Sequence, residues 1–139
     1  MMVPPVFDLP LHAVENRGVS NQERIVLRTG GVHVDLAIYF LGLGYRPYDV
    51  AQPLPDALFW LGDVRLDPLT WIFVYTGPGQ IRYTKTSGTN EPAYVLHWGR
   101  PYVVFFDNNI VPILMKCEGI TVNRSVWLDA LPAPTKPSA

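Results

Sequence analysis

Between residues 23 and 128 the chain is a succession of short apolar runs closed by turn residues, and none carries a helical stripe. The runs are "ERIVLRT" (23–29), "ALFWL" (57–61), "TWIFVYT" (70–76), "QIRYTKT" (80–86), "AYVLHW" (93–98), "PYVVFF" (101–106), "IVPILMKC" (110–117) and "ITVNRSVWL" (120–128). Gly77-Pro78-Gly79, Ser87-Gly88, Gly99, Asp107-Asn108-Asn109 and Glu118-Gly119 separate them. An isolated helix needs about 12–15 residues of good helix formers, and β-branched and aromatic residues favour strands instead. The pattern predicts an all-β sandwich or barrel.

The alternation within the runs assigns faces. In 23–29, Ile25 and Leu27 share one side, and Arg24, Val26 and Arg28 the other. The run 70–76 leaves neither face polar, which predicts a buried central strand or one whose outer face is covered by protein. Pro112 lacks a ladder donor, so its strand belongs at an edge or a bulge. The "TGPGQ" stretch (76–80) reads as a hairpin loop.

The stretch "VHVDLAIYFLG" (32–42) admits three readings. As a helix it would have no polar face, and Gly42 and Gly44 would end it within two turns. As a straight strand it alternates throughout, and Gly30-Gly31 would close a hairpin with 23–29. As a corner, Asp35 would accept a backbone N–H just ahead of it, bending the chain near Leu36.

Composition narrows the class. At 139 residues the chain fits one domain. One cysteine, Cys117, excludes an internal disulfide and fits a core position in a reducing compartment. The formal charge of −1 comes from scattered residues. Without a basic cluster, strong nonspecific nucleic-acid binding is not expected. No apolar run reaches the ~18 residues of a membrane span, and residues 1–16 carry prolines and Asp8 rather than a basic leader. A soluble, cytoplasmic protein is the expectation.

Several segments resemble the lamin-tail domain family, an immunoglobulin-like β-sandwich. Val34, Asp35, Leu36, Tyr39 and Leu41 are similar to that family's Val-Asp-Leu corner. Glu23, Ile25 and Leu27 match the strand that precedes it, with Thr29 in place of an asparagine. Leu66, Pro68, Trp71, Val74, Gly77 and Gly79 match a later segment, followed by the Trp98-Gly99 pair and by Phe106, Asn108 and Asn109. The family's Gly-Asp after the asparagines is absent here. The resemblance spans roughly residues 20–127 and selects the corner at Asp35 and Leu36. It implies an immunoglobulin-like two-sheet sandwich of about eight or nine short strands over 20–128, and the prolines outside that span predict an arm at 1–19 and a disordered tail at 129–139. It also implies an interaction or scaffolding role.

No catalytic, cofactor-binding or metal-binding set emerges. His12, His33 and His97 lie far apart, and none has ligand spacing to a second His or Cys. His97 reads as a partly buried, hydrogen-bonded residue. The "DNN" stretch (107–109) reads as a turn, as do Asp63 and Asp67. The aromatic residues exceed what one small core needs, and Tyr and Trp suit interfaces. The proline-stiffened loop 44–56, with Tyr45, Arg46 and Tyr48, is the first candidate contact surface. The sequence therefore predicts a noncatalytic module that binds a protein partner or itself. A structural subunit of a larger particle or secretion apparatus is the alternative, and a small hydrolase or nuclease the third reading.

Overall fold

The computed structural model describes residues 5–46 and 52–121. Tyr48, Trp127, most of the run 120–128 and the segment 129–139 fall outside the described residues. The chain is all-β and built of open sheets, an arrangement consistent with a β-sandwich. Ten strands are described: β1 (Leu11–Glu15), β2 (Arg24–Arg28), β3 (Val34–Asp35), β4 (Tyr39–Tyr45), β5 (Gln52–Trp60), β6 (Arg65–Leu66), β7 (Trp71–Tyr75), β8 (Arg82–Lys85), β9 (Pro92–His97) and β10 (Ile110–Lys116). They form a five-stranded sheet ordered β1-β2-β7-β9-β8, a three-stranded sheet ordered β10-β4-β5, and the small pair β3-β6. Among the described residues no helix is long and apolar enough to cross a membrane.

The inner faces meet in one core. Ile25 and Leu27 of β2, Ile72 and Val74 of β7, and Tyr94 and Leu96 of β9 pack in the same cluster as Tyr39, Leu41 and Leu43 of β4. The alternation that assigned Ile25 and Leu27 to one face thus corresponds to burial against the other sheet. Pro112 lies in β10, an edge strand, where its missing N–H disrupts least.

The N-terminal segment lies along its own sheet. β1 pairs antiparallel with β2, and Leu9 is fully buried in the core. Asp8 accepts hydrogen bonds from Tyr39 (2.6 Å) and Lys116 (2.8 Å), which tie the arm to the three-stranded sheet. These donors hold the Asp8 carboxyl below its ordinary pKa, Lys116 contributing most.

Residues 32–42 form a corner. β3 ends at Asp35, a 3-10 turn covers Leu36–Ile38, and β4 starts at Tyr39. The Asp35 carboxylate accepts the Ala37 N–H at 3.0 Å. Leu36, at the bend, is completely buried. The hairpin closed by Gly30-Gly31 does not form, because β2 pairs with β1 and β7 while β3 pairs with β6.

Two expected features differ. The 76–80 loop is not a hairpin loop: β7 runs parallel to β9, which is inserted between β7 and β8. The loop carries the chain past the position that β9 fills. Its Gly79 lies so close to the His97 ring that a Cβ there would overlap the ring. Secondly, the run 101–106 is not a strand. Its backbone finds another acceptor. Glu23, 1% exposed, receives the Val104 N–H (2.7 Å) and the Phe105 N–H (3.1 Å). The same carboxylate also takes the Gly18 N–H (3.1 Å) and the Thr76 hydroxyl. One side chain thus fastens three segments remote in sequence.

Two stability tests follow from these contacts. Asp35→Ala should cost about 0.5–2 kcal/mol, the value of a lost side-chain cap, and Leu36→Ala about 2–5 kcal/mol through its cavity; denaturant unfolding reads both. Glu23→Ala should exceed the Asp35 effect, since each buried donor left unpaired costs about 1–3 kcal/mol. Glu23→Gln should rescue it only in part, because the new amide NH2 faces donors. Full rescue by Gln would show that the two oxygens are not both used.

Candidate interaction surfaces

The outer face of the five-stranded sheet is aromatic and basic. Cross-strand register places Arg28, Trp71 and Ala93 in one row, Val26, Phe73, Val95 and Arg82 in the next, and Arg24, Tyr75 and His97 in the third. The rings on β7 are not bare. Arg24 lies 4.0 Å over the Phe73 ring and Arg28 lies 4.4 Å over Trp71. Arginine stems cover apolar surface while their heads stay wet, which explains a central strand without a polar face. Glu15 binds Arg24 at 2.6 Å, and Glu91 pairs with Arg28. Trp71 Nε1 donates to Glu91; that bond first, then the Thr89 side chain and Arg28, hold the Glu91 carboxyl below its ordinary value against desolvation.

Beside this ladder lies an open groove of about 310 Å³. Arg24, Phe73 and Tyr75 stand on one side, and Arg82 and Lys85 on the other. Its floor is Ala93 and Val95, whose small side chains leave the depression. Arg82 and Lys85 make no ion pair among the described residues.

His97 stacks on Tyr75, with ring centroids 5.2 Å apart. Contrary to the hydrogen-bonded role expected of it, neither ring nitrogen finds a well-formed hydrogen bond among the described residues. Desolvation, with the Arg82 charge second, lowers its pKa, and the Gly77 backbone works weakly against the shift. His33 lies 3.3 Å from Asp67 at the surface. Asp107 caps its own turn, accepting the Asn109 N–H at 2.8 Å. Among the described residues no group of three or more His, Cys, Asp or Glu is placed to hold a metal ion. A pocket of about 170 Å³ opens beside Glu23, whose oxygens are already engaged by the donors described above.

The outer face of the three-stranded sheet is different in kind. Register aligns Met115, Phe40 and Trp60 in one row, Ile113, Gly42 and Leu58 in a second, and Val111, Gly44 and Pro53 in a third. No ionisable side chain stands in these rows. Leu58 is 62%, Trp60 49% and Met115 39% exposed. Met115 leans across Gly42, where a Cβ would meet its methyl at 3.1 Å. Trp60 is fixed by its Nε1 donating to the Ala37 carbonyl at 2.8 Å.

Of the loop residues singled out from sequence, Tyr45 closes β4 with 36% exposure. Arg46 is exposed and donates its N–H to Asn109 at 2.7 Å. The sequence reading did not single out Phe40, Leu58 and Met115. The signal was present in the period-two alternation of 39–45 and 110–116, but pairing was needed to align the two runs.

No family model matches the chain, and no curated protein or solved structure does.

The His97 environment is testable. Arg82→Gln should raise the His97 pKa, while desolvation keeps it below 6.5; imidazole proton shifts followed by NMR against pH measure it. An unchanged value would show that Arg82 does not act on the ring.

Proposed function

We propose that this chain is a noncatalytic interaction module of the immunoglobulin-like, lamin-tail-like kind, which binds a protein partner or assembles with copies of itself. The observation that carries the reading is the outer face of β4, β5 and β10. Three consecutive rows without a charge present Leu58, Trp60 and Met115 to solvent. Contiguous exposed apolar surface marks association sites on soluble proteins. An apolar face whose paired rows carry no charge suits a second copy of itself, so self-association is the favoured form. The corner at Asp35 and Leu36, and a single core shared by two sheets, support the sandwich type. The alternative, a structural subunit of a larger particle or secretion apparatus, draws on the same face.

Light scattering at two concentrations tests the reading. The wild-type mass should rise with concentration, and Leu58→Glu combined with Met115→Glu should hold the protein monomeric with its thermal unfolding intact. Identical masses for both proteins would remove the apolar face as an assembly surface.

A further inference from the structure

The two larger sheets have four edge strands, and three of them are blocked by backbone. β10 contains Pro112, and β5 contains Pro53 and Pro55. β1 breaks register between Leu11 and Ala13. Proline and bulges are the usual means by which sheet edges refuse another strand. β8 has neither. Among the described residues it pairs in regular register with β9 on one side only, and all four of its residues are exposed. It therefore offers unpaired backbone N–H and C=O groups along its free side.

The side chains on β8 indicate what this edge accepts. Arg82 and Lys85 line the groove over Val95 and Ala93, opposite Arg24. On the other face Tyr83, 66% exposed, packs on Tyr94 with centroids 4.7 Å apart, and Ile81 beside it is 63% exposed. The groove side of the edge thus presents Arg82 across from Arg24, and the other side presents Tyr83 and Ile81, with Lys85 following in their alternation at the end of the strand. We infer that β8 is a strand-addition site for an extended acidic peptide, in which carboxylate side chains alternate with apolar ones. Main-chain hydrogen bonds would supply affinity, and the alternating side chains selectivity. The acidic side chains would lie toward Arg82 and the groove, and the apolar ones beside Tyr83 and Ile81.

Two competing occupants fit less well. A second copy pairing antiparallel through β8 would gather two Arg82 and two Lys85 side chains along one short seam with no described carboxylate on β8 to offset them, which disfavours it. Single-stranded nucleic acid needs open aromatic faces for its bases. Here Arg24 and Arg28 occupy Phe73 and Trp71, and His97 covers Tyr75.

The test uses the full chain and a capped octapeptide of alternating Glu and Val. Calorimetry should detect binding that weakens with salt, and hydrogen exchange should show new protection confined to the β8 amides. Arg82→Glu with Lys85→Glu should weaken binding by about tenfold or more. The same peptide with Lys for Glu, or with Pro for Val, should not bind. Binding should persist in the Leu58→Glu, Met115→Glu protein, which separates this site from the apolar face. Absence of β8 protection, equal binding after charge reversal, or tighter binding of an oligothymidylate would overturn the assignment.

Discussion

The fold depends on what a single buried carboxylate does with its two oxygens. Glu23 precedes β2, yet it collects donors from the turn at Gly18, from the end of β7 at Thr76, and from the 104–105 backbone. A buried N–H without a partner is costly, so a segment that forms no ladder must find an acceptor elsewhere. Residues 101–106 have the composition of a strand but lie as bends, the Val104 and Phe105 amides ending on Glu23. The carboxylate places Val104 and Phe105 in the core without a neighbouring strand. Its own backbone carbonyl receives the Thr76 N–H at 3.3 Å, so main chain and side chain secure the same junction.

How much of this was legible in the sequence follows from which interactions are local. The Asp35 cap spans two residues, and period two brackets it on both sides, so strand, bend and strand could be read directly. The face assignments in β2 were equally local. Long-range choices were not legible. Gly77-Pro78-Gly79 marks a turn, but nothing within it says that another strand will come between β7 and β8. The 101–106 run could not announce that its partner lay some eighty residues earlier. The arginine cover on β7 depended on knowing that Arg24 pairs with Tyr75 and Arg28 with Trp71.

The two outer faces follow different physical rules. On the five-stranded sheet, long cationic side chains fold down over rings and carboxylates hold them there, so the apolar area is partly covered from within. On the three-stranded sheet the central strand carries Gly42 and Gly44 where such covering residues would stand. Small residues at the centre and larger apolar ones on the flanks leave a shallow trough that the chain's described residues do not cover. Of the loop aromatics favoured by sequence reasoning as the contact surface, Tyr45 closes the strand that forms the floor of this trough.

The insertion of β9 between β7 and β8 also bears on the order of assembly. β8 and β9 are joined by the short 86–91 turn, in which Thr86 accepts the Asn90 N–H and donates its own to Glu91. Closing that hairpin costs little loop entropy, whereas the parallel join of β9 to β7 must enclose the whole excursion from residue 76 onward. The hairpin can therefore form as a unit and dock afterwards along β7, delivering Val95 and Leu96 to opposite sides of the sheet in one step. The strand that ends up outermost in the finished molecule would then belong to its earliest structure.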